Sequence, residues 1–225
     1  MAEAAEALGS MKKYIIFDFD GTLINTDEII IESWDATFKH YGHRVSREEI
    51  FSTFGETLVY TISQRMPEVD SDEAIQYYKD YQAAHCEDLV TLFEPTMEIL
   101  DGLRARGCKM AIATSRLEDS FTRYMNQFGL WDYFETWLTK DDVTKHKPDP
   151  ESCLVALKRL GGTPEEALMI GDTRFDIGCA NNAGVDSVLA GWSPNVSRER
   201  IVSQGYVPKY FPRTAEELFK IVDAG

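Results

Sequence analysis

Short, unbroken runs of apolar residues recur along this chain, and stretches of helical periodicity separate them. The clearest are Tyr14-Ile15-Ile16-Phe17, Met110-Ala111-Ile112-Ala113, Ala167-Leu168-Met169-Ile170, and Val185 with Val188-Leu189-Ala190; residues 134–138 are a fainter fifth. A half-buried strand alternates apolar and polar side chains, but these runs do not. Strands covered on both faces have this pattern, and it arises when helices pack on each side of a parallel sheet. The chain is therefore expected to be α/β, a doubly wound parallel sheet.

Helix ends are marked between the runs. Pro95 opens a helix that stops at Gly107. Asp149 can cap another, with Pro150 at its first position and Gly161 past its end. Thr214 and Glu217 have capping-box spacing for a last helix. Residues 25–93 break the alternation. They hold no convincing strand but carry a capping box at Ser46 and Glu49, helix stops at Gly42 and Pro67, and a start at Asp70 leading through Tyr77, Tyr78 and Tyr81. The tyrosines read as core of this segment. The expected organisation is an α/β domain of residues 11–24 and 94–225, with a small all-helical domain, 25–93, inserted after the first strand.

A chain of 225 residues can bury a core without disulfide or zinc staples. Its formal net charge of −15 argues against nucleic acid or an anionic membrane as the main partner. Cys86, Cys108, Cys153 and Cys179 lack C-x-x-C spacing and read as reduced, mostly packed thiols of a cytoplasmic protein. No apolar run reaches the roughly 18 residues of a membrane helix. Residues 1–10 are acidic and Ala-rich, unlike a signal peptide, and read as a leader outside the fold.

Ligands of open α/β sheets bind beyond the carboxyl ends of the strands. Asp18-Phe19-Asp20-Gly21-Thr22 follows the first run, and Thr114 and Ser115 follow the second. Gly171-Asp172 follows the run at 167–170, with Asp176 four residues on, and Lys147 precedes the helix after Asp149. Acids, a hydroxyl and a lysine on one rim suit phosphoryl transfer. Asp18 can present a nucleophilic carboxylate, and Asp20 can protonate the leaving oxygen and later activate water. Attack on an anionic phosphate calls for a hard divalent cation; Mg²⁺ is commonly held by one or two carboxylates, here Asp18 and Asp172. Lys147 adds positive charge, Thr114 a hydrogen bond, and Gly21 a tight turn. Taken singly these residues have plainer readings. The two acids of Asp18-Phe19-Asp20 suit a solvated turn or a Mn²⁺ site, and Asp172 or Asp176 a helix N-terminus. Ser115 and Arg116 read equally as substrate contacts or surface residues, and the four scattered histidines as non-ligands.

Together, Asp18-Phe19-Asp20-Gly21-Thr22-Leu23, Thr114, Lys147-Pro148-Asp149-Pro150 and Gly171-Asp172-Thr173-x-x-Asp176 resemble the four motifs of the haloacid dehalogenase superfamily, in its order. The resemblance implies a Mg²⁺-dependent phosphatase working through an aspartyl-phosphate, with a helical cap over its active rim. It assigns Asp18 as nucleophile and Asp20 as acid and base, with Thr114 and Lys147 binding phosphate. Asp18, the Asp20 carbonyl and Asp172 are the implied metal ligands, supported by Asp176. Phosphoglycolate phosphatases and the related inorganic pyrophosphatases are the most similar branches, so a small phosphorylated metabolite is the expected partner. β-Phosphoglucomutases are also similar and stand with inorganic pyrophosphatase as alternatives. The chain lacks the arginine they carry just after the cap glycine, since Gly55 is followed by Glu56-Thr57-Leu58-Val59, but a nearby arginine such as Arg65 could serve a sugar phosphate. A phospho-accepting regulatory module is the rival of a different class; Asp20 and the long insertion speak against it.

Overall fold

The computed structural model describes residues 11–85 and 89–225. Residues 1–10, expected to be a leader, and Cys86 lie outside the described residues. The chain divides into two compact units: one holds the described residues up to Leu23 and from Phe93 onward, the other Ile24–Leu92. In chain order the elements begin with β1 (Tyr14–Phe17) and β2 (Ile24–Asn25). Then come α1 (Asp27–His40), α2 (Arg47–Phe51), α3 (Leu58–Arg65), α4 (Ser71–His85) and β3 (Thr91–Leu92). The first unit resumes with α5 (Thr96–Ala105), β4 (Lys109–Ala113), α6 (Glu118–Phe128), β5 (Thr136–Leu138), α7 (Glu151–Leu160) and β6 (Ala167–Gly171). It ends with α8 (Arg174–Ala183), β7 (Asp186–Leu189), α9 (Arg198–Ser203) and α10 (Ala215–Ala224).

The first unit is built on a parallel sheet of order β5-β4-β1-β6-β7. The five apolar runs of the sequence are its strands. β1 lies in the middle, with Phe17 opposite Ile112 on one side and Ile170 on the other. On one face Ile16, Ala111, Ala113 and Met169 pack with Cys153, Ala156, Leu157 and Leu160 of α7 and Cys179 and Ala180 of α8. Side chains alternate along a strand, so Ile15, Phe17, Met110, Ile112, Leu168 and Ile170 turn to the other face, and all are buried. Both faces are thus dry, which is why the strands read as unbroken apolar runs. Cys108, Cys153 and Cys179 are buried free thiols.

The second unit has its own core of Ile31, Trp34, Phe38, Ile50, Ile62, Met66, Ala74 and Tyr78. Trp34 stacks on Phe38 at 5.4 Å and leans on Tyr78 at 4.8 Å. Tyr78 is the buried tyrosine of its group; Tyr77 and Tyr81 are half-buried and stack on His40 and His85. Ser46 and Glu49 form the capping box of α2, and Asp70 Oδ1 accepts the N–H groups of Asp72 and Glu73.

Two local expectations are corrected. The inserted segment is not wholly helical: Ile24 and Asn25 pair antiparallel with Leu92 and Thr91. Strands of two residues are too short to show alternation. The helix after Asp149 begins at Glu151, with Pro150 as its cap residue. Asp149 Oδ1 still accepts the Glu151 N–H, from one position further back. No helix among the described residues is long and apolar enough to cross a membrane.

Candidate active site

Parallel strands in register bring distant residues to one edge. Asp18 follows β1, and its N–H continues the ladder to the Ile170 carbonyl at 2.8 Å. Thr114 follows β4, and its backbone N–H donates to the Leu138 carbonyl at 2.9 Å. Asp172 follows β6, whose last carbonyl, on Gly171, accepts the Ala190 N–H at 2.8 Å. The three side chains are therefore placed by the sheet itself, beyond its carboxyl end. Lys147 reaches the same place from the segment before α7.

Lys147 Nζ donates to Asp18 Oδ1 at 2.9 Å and to Asp176 Oδ1 at 2.6 Å, and all three side chains are buried. Asp176 Oδ2 accepts the Thr173 N–H at 3.1 Å and hydroxyl at 2.6 Å, closing the capping box of α8. Asp172 Oδ1 accepts the Thr22 hydroxyl at 3.2 Å. Oxygens of Asp18, Asp172 and Asp176 all lie within 4.8 Å of one another. Two glycines make this approach possible. A Cβ on Gly21, whose φ is +71°, would fall 2.3 Å from Asp172 Oδ2, and one on Gly171 would fall 2.2 Å from the Asp176 Cβ. The loop after β1 is held in turn by Trp192, whose indole N–H donates to the Thr22 carbonyl at 2.9 Å.

The electrostatics follow from this crowding. Burial, reinforced by the charge of Asp176, pushes the Asp18 carboxyl up to about 7, although Lys147 pulls the other way. Burial also works against the charge on Lys147, but Asp176 and Asp18 outweigh it and hold the ammonium above its ordinary range. Lys147 pairs with Asp18 and Asp176, and Arg116 with Asp20, while Asp172 lies beside Asp18 and Asp176. The clustered carboxylates of Asp18, Asp172 and Asp176 are hard oxygen donors, which suit a divalent cation such as Mg²⁺.

The sequence-derived site residues Asp18, Asp172, Asp176 and Lys147 meet directly. Thr114 is buried at the neighbouring strand end, where its hydroxyl oxygen accepts the Arg116 N–H at 3.1 Å; Ser115 beside it is half-buried. Asp20 turns its carboxylate to Arg116. That pairing was missed by sequence reasoning, as was the Thr22–Asp172 bond. The only signal for the first is an arginine two positions after a strand-end threonine, and a strand end does not specify where a long side chain turns. Among the histidines, His43 pairs with Glu68 in the second unit. Arg65 donates to the Ser52 hydroxyl there.

The model of the haloacid dehalogenase-like hydrolases matches residues 15–190. Pyrophosphatase PpaX of Bacillus pumilus is 36% identical over 211 residues, 93% of this chain and 96% of the relative. The Bacillus velezensis protein of the same name is 36% identical over 92% of this chain and 94% of its own length. Among solved structures, a Bacteroides fragilis protein provisionally described as a haloacid dehalogenase-like hydrolase superposes with a TM-score of 0.82. It is 27% identical, covering 92% of this chain and 99% of that one. A Lactobacillus plantarum protein provisionally described as a phosphoglycolate phosphatase has a TM-score of 0.79 at 23% identity, over 94% and 99% of the two chains, and shares the fold. The strand-end carboxylates, their order along the chain and these matches agree: the chain belongs to the haloacid dehalogenase-like hydrolases.

Proposed function

We propose that the chain is a Mg²⁺-dependent phosphohydrolase working through an aspartyl-phosphate on Asp18, with residues 24–92 as its cap domain. The observation that carries this reading is the buried group of Asp18, Asp172 and Asp176 around Lys147 at the carboxyl edge of the sheet. Asp18 and Asp172, with the Asp20 carbonyl, would hold Mg²⁺, and Asp176 supports them. The cation, when bound, supplies charge neutralisation that allows a carboxylate to approach an anionic phosphoryl group. Asp18 attacks phosphorus, and Asp20 protonates the leaving oxygen and then takes a proton from the water that hydrolyses the intermediate. Lys147 keeps positive charge beside the nucleophile, and Thr114 and Ser115 border the place where phosphoryl oxygens bind.

Two substrates compete. The relatives named pyrophosphatase share about a third of their residues with this chain over nearly its full length, which favours inorganic pyrophosphate. Phosphoglycolate is the phosphomonoester that the sequence motifs favour. A phosphate-release assay on both, with Mg²⁺ and with chelator, separates them. The expected result is Mg²⁺-dependent turnover of at least one, lost in Asp18→Asn with its fold intact. Stable phosphorylation without turnover would instead favour a regulatory module.

A further inference from the structure

Asp20 and Arg116 are 96 positions apart and meet in a two-point ion pair. Arg116 Nε lies 2.8 Å from Oδ2 and 3.1 Å from Oδ1 of Asp20, and Nη2 lies 2.5 Å from Oδ1. The arginine side chain is 8% exposed and that of Asp20 22%. The arginine is itself tied down. Its N–H donates to the Thr114 hydroxyl oxygen, its carbonyl accepts the Lys140 N–H at 3.0 Å, and its guanidinium lies 4.9 Å from the centre of the Tyr124 ring. An exposed ion pair fixes little, but a planar fork held from several sides fixes the plane of the carboxylate it grips.

We infer that Arg116 is a positioning residue that sets the orientation of the Asp20 carboxyl group for proton transfer. The inference rests on the role proposed above for Asp20. In the first step an Asp18 oxygen bonds to phosphorus. The bond from phosphorus to the leaving oxygen breaks, and the electron pair left on that oxygen takes the proton of Asp20. In the second, a water oxygen bonds to phosphorus and its proton returns to Asp20, while the bond from phosphorus to Asp18 breaks and restores the carboxylate. Both transfers depend on where one carboxyl oxygen points, and a misplacement of about 1 Å can cost on the order of 100-fold. Arg116 acts through Asp20, whose carboxylate it grips.

The test compares two esters on the full-length, Mg²⁺-loaded protein. Phosphoglycolate leaves as an alkoxide and needs the proton, whereas p-nitrophenyl phosphate leaves as a stable phenolate and needs it far less. Arg116→Gln should lower kcat/KM for phosphoglycolate about 30-fold and for p-nitrophenyl phosphate by roughly a tenth of that factor. Arg116→Lys, which keeps charge but not the fork, should recover part of the loss. In an Asp20→Asn background, adding Arg116→Gln should cost nothing further. Equal losses on the two esters, no loss on either, or a full additional loss in the Asp20→Asn background would overturn the inference while leaving the hydrolase reading intact. Wild-type protein that releases phosphate from neither ester nor from pyrophosphate would overturn both.

Discussion

A carboxyl group buried beside a second carboxylate resists ionising, and Asp18 titrates at about 7 for that reason, burial contributing most and Asp176 next. In the unfolded chain the same group titrates near about 4. Between these values the folded chain binds more protons than the unfolded one. The stability of the metal-free protein therefore falls as pH rises through this window, and the penalty is complete above about 7. Asp18→Asn removes the ionising group. The metal-free variant should melt higher than wild type above neutral pH, and the gap should close toward pH of about 4. Melting curves across that range, in chelator, check the sign. A variant that is less stable than wild type at high pH would contradict the assigned environment. Lys147 offsets part of this cost, and a bound cation would offset more, which ties the stability of the residue to its proposed chemistry.

The helices are held by the sheet more than by their own propensity. Leu157 on α7 is 3% exposed and packs into the core on one face of the sheet, whereas Leu154, one turn away on the same helix, is 42% exposed. Leu157→Ala should cost about 2–5 kcal/mol through lost burial and a residual cavity, while Leu154→Ala should stay within about 0.5 kcal/mol. Urea denaturation of the two variants measures the contrast, and equal costs would contradict the packing. At this scale the sequence was readable where the physics is local or repetitive. The apolar runs became β1, β4, β5, β6 and β7 because both sheet faces are covered. The Ser46 box formed because its bonds span three residues. The β2–β3 ribbon was not readable, since its pairing joins residues far apart in sequence through only two positions each.

Over the whole molecule, the candidate site was legible because a parallel sheet turns strand ends into neighbours. Knowing that Asp18, Thr114 and Asp172 each follow an apolar run is enough to bring them to one edge. What each side chain then grips was not legible. Lys147 bridges Asp18 and Asp176 across 129 and 29 positions, and Arg116 crosses to Asp20, because long side chains settle according to the charge around them in three dimensions. The account stands on Asp18 carrying the phosphoryl group during turnover. Borohydride reduces an aspartyl-phosphate to homoserine, so the direct measurement is peptide mass spectrometry of protein quenched with borohydride while turning over substrate with Mg²⁺. Homoserine at position 18, absent without substrate and absent in Asp18→Asn, is the predicted result. Sustained phosphate release with position 18 unmodified, or homoserine at another aspartate, would contradict it.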